Sequence, residues 1–335
     1  MQKVSIPGYL LPHVEKFVAD RGGSVSALFA KAGIERKSFD AAQTLISEEQ
    51  FYAFVKEAVA QSNEPAFGLE IGRCFSVGSF GLMSRAIMSC VDMRSAVRLI
   101  ERYSTLALPL VRFSSQETDT QMLVEVSVLS RYPDLNQIIL EALFTAGMGV
   151  KNLLVRKGIG PEKYSFTFAP PKYADLFAKY STADCEFNAD CNLIVLKREY
   201  LDISLVTANP IDAESTRREC EAELQKRQEA KTLVDQVSEQ VRFYLDMNPS
   251  SKTIADRLNL TERTMRRKLA EESTSYRELL QKIRQETAAY YLSHTQLQIA
   301  QIALKLGYQE TSNFRAAFKS WTGLSPREWR QGLEK

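Results

Sequence analysis

Four cations stand close together at Arg263, Arg266, Arg267 and Lys268 of the 335-residue chain. The planar arginine fork can donate twice at once, to a phosphate or to O6 and N7 of guanine, which a lysine point charge cannot do. A milder set follows at Thr311, Ser312, Asn313, Arg315 and Lys319, where hydroxyls, an amide and two cations offer hydrogen bonds to base edges or phosphate. On composition alone, a basic helix face is equally well explained as a solvated surface. The weight therefore falls on the elements that position these residues.

The stretch TIADRLNLTERTMRRKLAEE (253–272) reads as two short helices with a tight turn between them. Ile254, Ala255 and Leu258 share one helical face, and Asn259 tolerates the left-handed backbone that a turn requires. Thr261 caps the second helix and, with Thr264, joins the outward set, while Met265 and Leu269 point inward. The same grammar returns in QIAQIALKLGYQETSNFRAAFKSWTG (298–323). There Ile299, Ile302, Ala303 and Leu306 form the buried stripe, Gly307 takes the turn, and Phe314, Phe318 and Trp321 face inward. Between the two units, apolar residues at 276, 279, 280, 283, 287, 290 and 291 predict a long amphipathic helix. Two protruding basic helices on a rigid spacer would fit successive major grooves, each ~12 Å wide and ~34 Å apart on one DNA face.

The segment QIAQIALKLGYQETSNFRAAFKSWTGLSPREWR resembles the signature of the AraC/XylS family of transcription regulators. The matching elements are the I-A-x-x-x-G-Y turn, the S-x-F-x-x-A-F-K helix and the W-T-G-x-S-P-x-x-W-R close, and the likeness covers 236–333. It implies a monomeric reader of double-stranded promoter DNA with both recognition helices on one DNA face. Carried over by position, Arg263, Arg266 and Arg267 are base-facing, and Thr311, Ser312 and Asn313 begin the second recognition helix. Two departures stand out. Asn259 replaces a frequent glycine. Ala316 stands where an outward arginine is common, with Arg315 one position earlier and so turned by about 100°. The second helix is therefore expected to grip phosphate more than it reads bases.

Ahead of this module the first hundred residues read mostly as helix, at 9–20, 24–32, 47–62 and 93–106. The third is opened by a capping box of Ser47 and Gln50. Strands are expected at 109–114, 121–129, 164–168, 185–187 and 192–196, with a long helix over 135–156 and a short one at 173–180. The small residues of Thr145-Ala-Gly-Met-Gly149 predict close helix packing or a bend. The charged run 213–231 has few large apolar residues and reads as an exposed helical linker. The expected architecture is thus an α+β N-terminal sensor domain (1–210), a charged helical linker (211–235) and an all-α domain of two helix-turn-helix motifs joined by a long helix (236–335). Residues 68–114, and more faintly the chain to about 205, resemble the sensor of the AraC-type subgroup with an arabinose-binding-type domain, which includes regulators of ornithine utilisation. That likeness implies effector sensing or oligomerisation without implying arabinose.

The net charge of +2 hides an asymmetry: 236–335 carries 16 basic and 11 acidic residues, a net of +5, and the remainder is −3. A basic module on a slightly acidic body suits a polyanion partner. Arg85, Arg98, Arg102 and Arg112 could meet an acidic effector but read better as solvated or paired, and Phe80, Phe144, Phe166 and Phe168 as core. The five cysteines form no CxxC pair, and His13 and His294 have no ligand cluster beside them, so neither a metal nor any other cofactor is expected. An alkyl-accepting repair protein would need a zinc-bound cysteine cluster. A phosphoacceptor regulator would need acidic residues after a first parallel strand, and this chain opens on helices. No apolar run reaches the ~20 residues of a membrane span, and the N-terminus lacks a secretory pattern, so the cytoplasm is expected. The remaining reading is a non-enzymatic transcription regulator, an activator that contacts RNA polymerase, responds to a small-molecule effector and forms a homodimer. The alternative is a regulator whose N-terminal domain only mediates oligomerisation or partner contact.

Overall fold

Helical spacing of apolar residues, with a hydroxyl or carboxylate cap before several of the helices, organises the start of the chain. The computed structural model describes residues 5–41, 43–130, 132–229, 232–294 and 297–333. Strand β1 (Ser5–Pro7) leads to α1 (Leu11–Ala19) and α2 (Val25–Ala32); β2 (Leu45–Ser47) pairs antiparallel with β1 and runs straight into α3 (Glu48–Ser62). Ser47 and Gln50 form the expected capping box, with Gln50 N donating to Ser47 Oγ at 3.2 Å and Ser47 N to Gln50 Oε1 at 3.0 Å. Helices α4 (Phe67–Cys74), α5 (Leu82–Ser89) and α6 (Met93–Ala107) follow, the last opened by Asp92.

The hairpin β3 (Val111–Glu117) and β4 (Gln121–Val128) then starts a five-stranded sheet. After the long helix α7 (Pro133–Leu154) come β5 (Lys163–Ser165), α8 (Phe177–Tyr180), β6 (Asp184–Glu186) and β7 (Leu193–Lys197). The strand order is β3-β4-β7-β5-β6, antiparallel except for β5 with β6. Alternation along β4 buries Met122, Val124 and Val126 on one face of the sheet. Phe144 and Phe166 are core residues, as expected, and Phe80 and Phe168 pack against core clusters while partly buried.

Close helix packing does occur on α7, but other glycines supply it. A Cβ on Gly72 of α4 would lie 2.0 Å from Thr145 Oγ1 and 2.4 Å from the Ala142 carbonyl, and one on Gly68 would lie 2.4 Å from Glu141 Oε2. Gly147 and Gly149 have nothing within 4 Å of a Cβ, so they are open positions, not packing ones. Glu141 is buried at this contact. It accepts hydrogen bonds from Tyr173 Oη and Gln137 Nε2, both at 2.9 Å, and burial raises its carboxyl above the usual range.

The charged run is helical, α9 (Pro210–Glu229), but it differs from a wholly exposed linker. Thr216 and Cys220 are buried on one side of it, with Thr216 Oγ1 3.1 Å from Ser89 Oγ. Around that narrow stripe Arg85 pairs with Glu219 at 3.1 Å, and Arg102 and Tyr103 both donate to Glu221. Small residues in the stripe conceal the docking from a hydrophobicity pattern. Residues 230 and 231 of the expected linker lie outside the described residues. The chain divides into two compact units, one running through Leu224 and one from Gln225 onward.

The second unit is all helical: α10 (Leu233–Phe243), α11 (Ser251–Arg257), α12 (Glu262–Glu271), α13 (Tyr276–His294), α14 (Ile299–Lys305), α15 (Thr311–Thr322) and α16 (Pro326–Leu333). Helix α10 begins at Leu233, ahead of residue 236, and buries Val237 and Val241. One hydrophobic core joins these residues to Ile254, Met265, Leu269, Ile283, Ile302, Phe314 and Phe318. The side chains of Tyr290 and His294 lie outside the described residues. Among the described residues no helix is long and apolar enough to cross a membrane.

Candidate nucleic-acid interface

Two turns built from the same hydrogen bonds place the candidate residues. In the first, Leu260 N donates to the Ala255 carbonyl at 2.9 Å across Asn259, whose φ is 54°. In the second, Tyr308 N donates to the Ala303 carbonyl at 2.9 Å across Gly307, whose φ is 76°. The chain differs at the next step: Thr261 caps α12 directly after Leu260, whereas Gln309 separates Tyr308 from Glu310, the residue before α15. Each turn delivers a helix whose inner residues, Met265 and Leu269 or Phe314 and Phe318, are fully buried.

On α12 the outward residues are the expected ones. Arg263, Arg266, Arg267 and Lys268 are all exposed. They are not equivalent. Arg266 donates to Glu262 at 2.6 Å and Arg267 to Glu271 at 2.5 Å, both across one helical turn. Among the described residues Arg263 and Lys268 have no such carboxylate. Thr261 and Thr264 serve each other first: Thr264 N donates to Thr261 Oγ1 at 3.1 Å and their hydroxyls stand 2.7 Å apart, so both are occupied in the cap.

On α15, Ser312, Asn313, Arg315 and Lys319 are exposed and Thr311 is half-buried. Ser312 Oγ donates to Glu310 at 3.2 Å. Two residues after the first buried position of each helix stand Arg267 in α12 and Ala316 in α15, both exposed. The departure at Ala316 thus falls at the outermost point of α15.

Several other cations brace the scaffold. Arg284 stacks on Tyr308 with 4.6 Å to the ring centroid, donates to the Leu306 carbonyl at 3.0 Å and reaches Asn248 at 2.8 Å. Arg257 lies over Tyr244, and Arg330 donates to the carbonyls of Leu292 and Leu297. Net charge alone could not separate these braces from the outward cations of α12 and α15. A carboxylate four residues from an arginine, as in the Glu262–Arg266 and Arg267–Glu271 pairs, is the readable signal for the partnered ones.

The first unit carries two adjoining cavities of about 610 and 290 Å³ that share Arg73. The larger takes in His13, Lys16, Asp20, Arg21, Glu70 and Cys74; the smaller takes in Met148, Gly149 and Lys179. Burial lowers the His13 pKa, its ring lying 4.9 Å from Phe75. Of the cysteines, Cys90 and Cys220 are buried thiols pushed up to about 11 by desolvation, Cys185 and Cys191 are half-buried, and Cys74 is exposed. Of the arginines weighed against an acidic effector, Arg85 and Arg102 are ion-paired to α9 and Arg98 is exposed.

Paired helix-turn-helix units on one core, each with an exposed second helix, define a DNA-binding transcription regulator. The model of the arabinose-binding domain of AraC transcription regulators matches residues 22–205, and a helix-turn-helix domain model matches 254–332. The chain belongs to the AraC family of transcription regulators, a family of DNA-binding proteins and not of enzymes. It is similar to the ornithine utilization regulator of Pseudomonas aeruginosa, with 27% identity over 323 residues covering 94% of this chain and 93% of that protein. Over 96 residues it is 31% identical to the transcriptional activator CfaD of Escherichia coli, covering 28% of this chain and 36% of that one. Among solved structures it is similar to the transcriptional regulator CdpR from Pseudomonas aeruginosa, at 22% identity and a TM-score of 0.45 over 91% of this chain and 96% of that one.

Proposed function

We propose that the chain activates transcription by laying α12 and α15 into successive major grooves on one face of promoter DNA. Helix α12 reads bases, chiefly through Arg263, and α15 grips the backbone through Arg315 and Lys319. The observation that carries this reading is the repeated turn, which holds two exposed, cation-bearing helices on a single hydrophobic core. Helix α13 belongs to that same core, so it suits a rigid spacer about one DNA turn long. Contact with RNA polymerase belongs to this reading, and the likeness over 96 residues to the transcriptional activator CfaD supports the activating role alone. A fragment beginning at Gln225 is expected to bind DNA alone, with affinity that falls steeply as salt rises. A folded fragment with no DNA binding at low salt would falsify the proposal.

The N-terminal unit is proposed to sense a small-molecule effector in the groove at Arg73 and to support a homodimer in the cytoplasm. The walls mix Lys16, Arg21, Arg73 and Lys179 with Asp20 and with Glu70, which pairs with Arg73 at 3.0 Å, and interleave them with Phe17, Phe75 and Met148; that mixture suits a small metabolite with both charged and apolar parts. Such a metabolite, screened against the full chain, is expected to raise the melting temperature of this unit by mass action. A metabolite panel that leaves the melt unmoved, in a protein that self-associates, would favour a purely oligomerising domain.

A further inference from the structure

The outermost position on the exposed face of α15 carries no group able to hydrogen-bond a base; the exposed amide of Asn313 lies one turn before it. Phe314 and Phe318 are fully buried, and at about 100° per residue the position turned furthest from both is 316. Alanine stands there, exposed. The equivalent position of α12 is Arg267. The hydroxyls one turn to either side of Ala316 are engaged locally: Ser312 Oγ donates to Glu310 at 3.2 Å and Ser320 Oγ to the Ala317 carbonyl at 2.7 Å. Beside them Arg315 and Lys319 are exposed, with no salt bridge among the described residues. Four residues apart, these two cations share one flank of the helix, where binding the phosphates of one strand would hold the neighbouring face at Ala316 towards the base edges.

We propose that Ala316 is a specificity-determining residue that reads the C5 methyl of a thymine in the second half-site. The inference rests on the reading of α15 as a groove-binding helix. In the major groove the thymine methyl is the one apolar feature a base pair presents; the other groups are donors and acceptors. A methyl side chain gains by burying against that group. Against a guanine or cytosine edge it leaves polar atoms desolvated without a partner. The two halves of the operator therefore differ in chemistry, with a guanine facing α12 and a thymine facing α15. Alanine is also the strongest helix former, which would by itself place it on a solvated face. Under that explanation no methyl on the DNA would matter.

The test uses the full chain and an operator recovered from a random pool of double-stranded DNA. Selection is expected to fix a thymine in the half-site that α15 protects in a footprint. Replacing that dT by deoxyuridine removes only the methyl. It should weaken binding about four-fold, the gain from burying one methyl group. Ala316→Gly should bind the thymine and uracil operators equally, and Ala316→Ser, which keeps the helix propensity closer to ordinary values, should lose most of the discrimination. Equal binding of both operators by the unsubstituted protein, or no thymine selected, overturns the proposal while protection of both half-sites leaves the two-groove reading intact. Protection of the α12 half-site alone overturns that reading and this proposal with it.

Discussion

Full-length protein carrying Arg263→Ala is expected to lose about 1–3 kcal/mol of affinity for its selected operator, with relaxed preference at one guanine. Arg263 is the second residue of α12, at the end of a recognition helix that enters a groove first, and it is exposed. Among the described residues it has no carboxylate partner, so binding a base costs it no existing ion pair. Arg266 and Arg267 must give up Glu262 and Glu271 to reach DNA, and exposed pairs of that kind are worth about 0.3–0.5 kcal/mol each. Arg266→Ala is accordingly expected to cost less. Anisotropy titrations against the operator and against unrelated DNA separate the two roles of an arginine. Removing a base reader lowers the ratio of the two affinities, whereas removing a phosphate clamp lowers both alike and flattens the salt dependence. If neither affinity nor ratio changes, Arg263 is not a reader.

That ranking among the arginines shows what the amino-acid order reveals and what it conceals. The twofold motif was readable because its signals are local: Asn259 and Gly307 mark turns with positive φ, and apolar residues three and four apart mark the buried faces. The α+β body with its hairpin followed for the same reason. Features set by distant partners were not readable. The run Thr145–Gly149 announces close packing on α7, yet the glycines that permit it sit on α4, because a helix contact needs small residues on only one side. The charge of α9 announces a solvated helix, yet Thr216 and Cys220 bury there, and polar partners on α5 and α6 complete the contact. Arg284 looks like any surface cation of the connecting helix until the fold brings Tyr308 and Asn248 to it. In each case the decisive neighbour is far away in sequence.

Gly307→Ala is expected to be the most damaging single-methyl change in the second unit. Gly307 has a φ of 76°, a conformation that costs a residue with a Cβ about 1–3 kcal/mol. The surroundings add to this. An added Cβ would lie 2.4 Å from the Leu245 carbonyl oxygen and 2.9 Å from Asn248 N, and both are backbone atoms that no rotamer change can move aside. Overpacking of this kind adds about 1–3 kcal/mol, and each kcal/mol lowers the midpoint of a domain this size by roughly 4–8 °C. The melt of the fragment from Gln225 onward should therefore fall by about 8 °C or more. At the matching turn, Asn259 has a φ of 54° and is exposed, so Asn259→Ala should cost only the backbone part, about 1–2 kcal/mol. The contrast isolates the packing component, since both positions need left-handed backbone and only one is walled in. It also bears on function, because the same backbone approach seats α14 against the segment at Leu245 and thereby fixes where α15 begins. A Gly307→Ala fragment that melts with the unsubstituted protein would show that this approach is looser than 2.4 Å implies, and that the second recognition helix is aimed by its core phenylalanines alone.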